Sequence, residues 1–182
     1  MRVISGITRG RKLKAPQGLD IRPTSSIVKE SIFNIIQFDI EGRRVLDLFA
    51  GTGQLGIETL SRGARSVVFV DSSPDAVKLI KENVKLCGFE NSCEILRSDA
   101  LDYLERRGTF DIIIIDPPYD TTLTIRTINK IIEFDKLNDN GIMLCETRAD
   151  SLIPEVSAPY SIEKEYIYGN VKITRFMRVD SG

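Results

Sequence analysis

The tetrapeptide Asp116-Pro117-Pro118-Tyr119 joins an acid, two prolines and an aromatic ring in one short segment. Proline has no N–H and a fixed φ, so two in succession stiffen the backbone and hold the Asp116 carboxylate and the Pro117 carbonyl as fixed acceptors. Two acceptors that face one amino group bind both of its hydrogens and favour the pyramidal nitrogen whose lone pair is free to attack. The Tyr119 ring offers a surface on which an extruded nucleobase can stack. The segment therefore predicts transfer of a methyl group to an aromatic amine, with the rate depending mainly on alignment of the amine nitrogen with the methyl group.

The rest of the composition is compatible with such chemistry. There is no histidine, which excludes triads built on that residue and removes the commonest metal ligand. Cys87, Cys93 and Cys145 form no C-x-x-C pair, so we predict core packing for them and no metal site. A Pro-Pro turn that ends a strand would explain the two prolines alone, but neither the acid before them nor the ring after them.

A glycine-rich loop, Gly51-Thr52-Gly53-Gln54-Leu55-Gly56, follows the predicted first strand and precedes a predicted helix. Glycines there let the backbone approach a ligand closely, with Gly51 and Gly53 nearest to it. Asp71 ends the next strand about 20 residues later, where an acid can accept both hydroxyl hydrogens of a ribose. These features fit NAD as well as S-adenosylmethionine. Asp47 favours the second ligand, because a carboxylate suits an ammonium and a sulfonium and repels a pyrophosphate.

Asp99 and Ala100 follow the third predicted strand. The same edge geometry would place the Asp99 carboxylate near the adenine amino group of a bound nucleoside, with the Ala100 backbone beside it. Asp99 is an equally good N-cap for a helix that begins at the next residue. The sequence leaves both interpretations open.

Strands and helices alternate from residue 44 onward, which predicts an α/β domain with a mostly parallel sheet. The apolar run of residues 110–115 is typical of a central strand buried on both faces. Gly169-Asn170 lies between two β-rich segments and predicts a closing antiparallel hairpin. The predicted strands are 45–49, 66–71, 93–96, 110–115, 141–146, 162–168 and 171–177, and the predicted helices are 54–62, 74–86 and 122–134.

The amino-terminal region is basic and differs from the remainder of the chain. Residues 1–44 carry nine basic and four acidic side chains, whereas the remainder has an excess of six acids. Residues 3–13 predict a short, irregular β-hairpin that projects, and a helix that begins near residues 24–26 presents an apolar face for packing. No apolar run reaches the length of a membrane helix and no signal peptide is evident, so we expect a cytoplasmic protein.

Several motifs together resemble the bacterial small-subunit ribosomal RNA guanine-N2 methyltransferases. They extend over nearly the whole chain: Ile4-Ser5-Gly6, Arg9-Gly10-Arg11-Lys12-Leu13, Arg22-Pro23-Thr24, Lys29-Glu30-Ser31-Ile32-Phe33-Asn34, Asp47-Leu48-Phe49-Ala50-Gly51-Thr52-Gly53, Asp116-Pro117-Pro118-Tyr119 and Tyr168-Gly169 with Lys172. Lys29 stands where the family more often has arginine. The resemblance implies a single Rossmann-like domain with a seven-stranded sheet, an antiparallel last strand, and S-adenosylmethionine as the cofactor.

The resemblance also implies roles at the site. Asp116 and Tyr119 take the catalytic and base-stacking roles, and Arg22 and Thr24 lie near the active site. With an RNA substrate implied, Arg9, Arg11 and Lys12 are predicted to clamp the RNA backbone. We expect ribosomal RNA or the assembling small subunit as the partner, a monomer, and a division into residues 1–40, the basic hairpin and packing helix, and residues 41–182, the methyltransferase domain.

Three alternatives stay open at this point. DNA adenine and protein glutamine methyltransferases use a similar residue before Pro-Pro-aromatic, although this chain has no separate DNA-reading domain. A nicotinamide oxidoreductase would use the loop of residues 51–56 but has no role for Asp116-Pro117-Pro118-Tyr119. A non-catalytic RNA-binding module would bind RNA without methyl transfer.

Overall fold

The computed structural model describes residues 1–15, 26–118 and 121–180. Strands and helices alternate as the sequence predicts, and one short 3₁₀ helix, Glu90–Ser92, was not expected. The helices are α1 (Ser26–Ile35), α2 (Gln54–Ser61), α3 (Pro74–Cys87), α4 (Ala100–Leu104) and α5 (Thr121–Glu133). The strands are β1 (Arg44–Leu48), β2 (Ser66–Asp71), β3 (Cys93–Arg97), β4 (Phe110–Ile115), β5 (Leu137–Arg148), β6 (Tyr160–Tyr168) and β7 (Val171–Arg178).

The seven strands form one sheet in the order β3-β2-β1-β4-β5-β7-β6. Strands β1 to β5 pair in parallel, and β7 runs antiparallel to both β5 and β6. The expected seven-stranded, Rossmann-like sheet with an antiparallel last strand is confirmed. The hairpin at Gly169-Asn170 is confirmed as well, since β6 and β7 pair up to Tyr168 and Val171 on either side of it.

Helices cover both faces of the sheet, which explains why β4 reads as an uninterrupted apolar run. Ile112 and Ile114 pack in a cluster with apolar residues of α1, α2 and α3. Ile113 and Ile115 pack on the opposite face with residues of α4 and α5. The central position of β4 brings the residue that follows it to the middle of the carboxyl edge, where parallel α/β sheets bind ligands.

Local signals fix the ends of α3. Ser73 caps its amino terminus through a hydrogen bond from the Ala76 N–H, and Pro74 occupies the first helical position. Gly88 ends the helix in the left-handed conformation that glycine adopts without strain. This helix packs against β2 and β3 and brings the Asn83 side chain within hydrogen-bond distance of the Thr52 carbonyl in the glycine loop.

The amino-terminal hairpin does not project, contrary to the expectation from sequence. Val3 and Leu13 are buried in the same cluster as α1 and the sheet, and a single antiparallel bridge joins Arg2 to Lys12. The Ile7 N–H donates to the carbonyl of Ser61 at the end of α2. Two apolar side chains and several backbone hydrogen bonds thus dock the hairpin on α2, and only its tip extends into solvent. In the part of the chain that the structure describes, no helix combines the length and apolarity needed to cross a membrane.

Candidate active site

Four carboxylates share one face of the sheet near its carboxyl edge. Asp47 pairs with Phe69 of β2 and Ile114 of β4, so Asp71 and Asp116 lie two residues further along on the same face. Cys145 pairs with Ile115, which places Glu146 alongside Asp116 on that same face. An edge lined by four acids suits a cationic ligand, because a bound cation stabilises their anionic forms.

The glycine loop is held by Asp71. One carboxylate oxygen accepts the Gly51 N–H at 2.8 Å, and the other accepts the Ser73 N–H at 2.9 Å. Gly51 and Gly53 both have positive φ, at 55° and 75°, which a side chain would strain. Asp71 therefore fixes the shape of the loop, and each of its oxygens keeps lone-pair capacity for a further donor such as a ribose hydroxyl.

Asp47 lies beneath the loop with 1% of its surface exposed. Its carboxylate accepts the Gly56 N–H at 2.8 Å, in the first turn of α2. A Cβ at Gly56 would lie 2.3 Å from the Phe69 ring and 2.9 Å from that carboxylate, so only glycine lets α2 approach this closely. Burial, reinforced by repulsion from Asp116 and Asp71, raises the pKa of Asp47 to about 8.

Asn83 connects the glycine loop to the amino-terminal segment. Its side-chain amide donates to the Thr52 carbonyl at 2.9 Å and to the Lys14 carbonyl at 3.1 Å. Its carbonyl oxygen accepts the Lys14 N–H at 2.8 Å. The residue is fully buried, and its amide satisfies backbone groups of two segments that are far apart in sequence.

Asp116-Pro117-Pro118 follows β4 directly, at the middle of the carboxyl edge. The Asp116 side chain is half-buried, Pro117 is buried and Pro118 is exposed. Tyr119 lies outside the described residues, so its predicted stacking role rests on sequence. Asp116 follows β4 at the same edge at which the glycine loop follows β1, because the two strands are parallel neighbours.

Glu146, near the carboxyl end of β5, was missed from sequence. It is 5% exposed, and its Oε2 atom has no hydrogen-bond partner among the described residues. Burial, together with repulsion from Asp116, raises its pKa to about 8. Its signal in the sequence is an acid that ends the apolar run of residues 142–145, because such a run predicts a buried strand with its carboxyl end at the ligand edge.

Asp99 caps α4. Its carboxylate accepts the Leu101 N–H at 2.8 Å and the Asp102 N–H at 3.3 Å, so the N-cap interpretation is confirmed. The Asp99 side chain is exposed and Ala100 is buried. Contact of either residue with an adenine ring stays a prediction.

The basic tip, which comprises Arg9, Arg11 and Lys12, is exposed to solvent at the turn of the docked hairpin. The base of the hairpin is anchored by Glu58 of α2, whose buried carboxylate accepts the backbone N–H groups of Ile4 at 2.7 Å and Ser5 at 2.9 Å. The tip is therefore fixed relative to α2, and α2 begins at the glycine loop.

Lys29 is the departure from the family pattern, and the structure shows its partners. Its ammonium lies 3.5 Å from the Glu58 carboxylate and donates to the Arg2 carbonyl at 3.2 Å. Burial lowers its pKa, and Glu58 opposes that effect. Lys29 thus helps to anchor the hairpin. Arg22 and Thr24, predicted near the site, lie outside the described residues.

Comparison with known proteins assigns the chain to a family. The family model described as conserved hypothetical protein 95 matches residues 1–177. The ribosomal RNA small subunit methyltransferase D of Escherichia coli (strain K12) is 31% identical and covers 100% of this chain and 92% of its own length. YlbH of Bacillus subtilis (strain 168), named as a candidate rRNA methyltransferase, is 39% identical and covers 93% of this chain and 94% of its own.

Among solved structures, yhhF from Escherichia coli, described as a candidate methyltransferase, superposes with a TM-score of 0.89 at 29% identity and covers 98% of both chains. These matches confirm the resemblance to small-subunit ribosomal RNA methyltransferases that the motifs indicated. They show that the chain belongs to the conserved hypothetical protein 95 family, whose members include ribosomal RNA methyltransferases with this Rossmann-like fold.

Proposed function

We propose that this protein transfers a methyl group from S-adenosylmethionine to the exocyclic N2 amine of a guanine in small-subunit ribosomal RNA. The observation that carries the proposal is the position of Asp116-Pro117-Pro118 at the carboxyl edge, beside the glycine loop. The name of the Escherichia coli relative supports small-subunit ribosomal RNA as the substrate, and the sequence resemblance supports the guanine amine. The basic tip supports a phosphate backbone as part of the substrate.

The residues of the edge fit a cationic donor. S-adenosylmethionine supplies an electrophilic methyl group on a positively charged sulfur. Asp71 holds Gly51 in place and has capacity for the ribose hydroxyls, while Asp47 lies beneath the loop as a buried acid that gains stability as an anion when a cation binds above it. Predicted contacts of Asp99 and Ala100 with the adenine complete the donor site.

Asp116 acts on the acceptor side. Its carboxylate and the Pro117 carbonyl bind the two amine hydrogens and direct the nitrogen lone pair at the methyl group, so positioning supplies the catalysis. A nitrogen–carbon bond forms as the sulfur–carbon bond breaks, and the nitrogen then gives up one proton. The carboxylates that line the edge are the nearby proton acceptors.

Mass mapping of modified nucleosides tests the function. Ribosomal RNA from cells with and without the protein is digested and compared, and we expect loss of one N2-methylguanosine from the small-subunit RNA. Re-expression of the wild type, but not of Asp116→Ala, should restore it. If the cells lose N6-methyladenine in DNA or a methylated glutamine instead, the proposed function is wrong and the corresponding alternative is supported. Unchanged methylation of RNA, DNA and protein, together with retained RNA binding, would support a non-catalytic RNA-binding module.

The state of the substrate is tested with labelled donor. Naked small-subunit RNA and partly assembled particles from cells that lack the protein are offered side by side, and the better acceptor identifies the stage at which the enzyme acts. We propose that the protein acts as a monomer, which light scattering from the isolated protein checks.

A further inference from the structure

Glu146 carries a buried carboxylate oxygen that the described part of the protein leaves unpaired. The residue is 5% exposed, and Oε2 has no hydrogen-bond partner among the described residues. Buried polar atoms in folded proteins are nearly always hydrogen-bonded, because removal from water without a partner is unfavourable. An exception at a ligand-binding edge points to a donor that arrives with the ligand.

The position of Glu146 indicates which ligand brings that donor. In the sheet order β2-β1-β4-β5, the glycine loop follows β1 and Asp71 ends β2, whereas Glu146 lies on β5. Asp116, which follows β4, stands between Glu146 and the donor site. Glu146 is therefore on the acceptor side of Asp116, away from the loop that holds the donor.

The chemistry of the base identifies the donor group. The edge of a guanine places the N2 amine beside the ring N1–H, so two adjacent positions donate hydrogen bonds. Adenine and 2-aminopurine have an unprotonated ring nitrogen at N1, which only accepts. Asp116 and Glu146 lie side by side at the ends of the neighbouring strands β4 and β5, so their carboxylates can accept the two adjacent hydrogens of guanine. In adenine or 2-aminopurine the N1 lone pair would face the Glu146 carboxylate and be repelled by it.

We propose that Glu146 is a specificity-determining residue that accepts the N1–H of the target guanine while Asp116 binds its N2 amine. The inference rests on the proposed function, since it assumes a guanine amine as the methyl acceptor. It adds a second contact that selects the base, where Asp116 alone would accept any aromatic amine. A base that lacks N1–H would leave the buried Glu146 carboxylate unpaired, and such a site discriminates strongly against that base.

A pair of substrates and a pair of variants test the proposal. The RNA fragment that nucleoside mapping identifies is prepared with either guanine or 2-aminopurine at the target, which keeps the 2-amine and lacks N1–H. The rate constant of methyl transfer is measured under single-turnover conditions at pH 8.5, above the pKa of about 8, where the carboxylate form of Glu146 predominates. Glu146→Gln can rotate its amide to donate to the N1 of 2-aminopurine, and Glu146→Asp keeps an acceptor.

We expect Glu146→Gln to lower the ratio of guanine to 2-aminopurine turnover by roughly 10- to 100-fold relative to the wild type, the range for a hydrogen bond to a charged group. Glu146→Asp should be slower and keep the guanine preference. Glu94→Gln, an exposed acid on β3, is the control and should leave the ratio unchanged.

An equal loss of turnover on both substrates in Glu146→Gln, with the ratio unchanged, would show that Glu146 supports the structure only and would overturn the proposal. Circular dichroism and donor affinity establish that the variant is folded. A wild-type enzyme that transfers no methyl group to guanine N2 would instead contradict the proposed function, so the two failures are distinguishable.

Discussion

Asn83 binds Thr52 of the glycine loop and Lys14 of the amino-terminal segment with one side chain, at 2.9 Å from the Thr52 carbonyl and 2.8 Å from the Lys14 N–H. The amide is fully buried, so neither backbone segment can exchange this partner for water without local opening. The loop proposed to hold the donor and the segment that continues from the basic tip are thereby joined through α3. We therefore expect loss of the Asn83 side chain to affect both segments.

Asn83→Ala should weaken both segments. The substitution leaves the Thr52 carbonyl and both backbone groups of Lys14 without their partner, so we expect a loss of about 2–4 kcal/mol in the free energy of unfolding. Affinity for S-adenosylmethionine should fall as the loop loosens. Urea denaturation and calorimetric titration measure the two effects. Asn83→Asp keeps the acceptor for the Lys14 N–H but places a buried carboxylate oxygen against the Thr52 and Lys14 carbonyls, so at neutral pH it should lose at least as much stability as Asn83→Ala. A loss much smaller than that of Asn83→Ala would show that the donated hydrogen bonds contribute little.

Asp71→Asn tests the donor site. The variant keeps the size of the side chain and one acceptor oxygen but loses the charge that binds Gly51 and the proposed ribose hydroxyls. We expect donor affinity to fall by about 1.5–3 kcal/mol, as for a charge-assisted hydrogen bond. Asp75→Asn, an exposed acid in the first turn of α3, is the matched control. Unchanged affinity in Asp71→Asn would contradict the ribose assignment.

Replacement of the basic tip should weaken RNA binding in a salt-dependent way. If Arg9, Arg11 and Lys12 each neutralise a phosphate, their change to alanine should flatten the log–log salt dependence by roughly 0.7–0.9 per contact. The measurement is RNA affinity over a series of salt concentrations. A control triple variant at exposed positions of similar charge, Arg65, Arg107 and Lys164, should keep the wild-type slope. A slope that is the same in both variants would show that the tip does not touch the backbone.

Local patterns in the sequence predicted the sheet well. The apolar run of residues 110–115 and the turn at Gly169-Asn170 each determine structure through neighbours in the chain, so β4 and the closing hairpin were predictable. The docked hairpin was not, because its anchor is a buried acid 53 or 54 residues away. Glu58 is an acid among buried residues of α2, so the sequence predicts that it needs hydrogen-bond donors. The sequence does not indicate which backbone groups supply them.

The candidate site was predicted unevenly for the same reason. Asp47, Asp71 and Asp116 belong to motifs at strand ends, and parallel strands bring those ends to one edge whatever the rest of the packing does. Asn83 lies within a helix whose periodicity reveals only that it faces inward. Its contact with Thr52 depends on how α3 packs against β2, and that packing is determined by residues far apart in the sequence.

Asp47 should make stability depend on pH. Its pKa rises from 3.8 to about 8 on folding, so between these values the folded chain holds a proton that the unfolded chain has released. The stabilisation is fully present below about pH 4 and is lost as pH rises through about 8. Asp47 alone lowers the free energy of unfolding by up to about 1.4 kcal/mol for each pH unit in this range. Asp47→Asn can still accept the Gly56 N–H but does not titrate, so this part of the pH dependence should disappear. Urea denaturation at pH 5 to 8 measures it, and an unaltered slope would place the proton elsewhere.

Asp116→Ala should abolish methyl transfer and leave donor affinity nearly intact. The carboxylate is proposed to bind the amine and not the donor, so its loss removes an interaction that matters chiefly in the transition state. Asp116→Asn keeps one acceptor oxygen in place of two and should retain part of the rate, whereas alanine retains neither. Single-turnover methylation of substrate RNA, with donor titration in parallel, separates chemistry from binding. Near-normal turnover in Asp116→Ala would contradict the proposed grip on the amine, even though the chain would remain a methyltransferase by family.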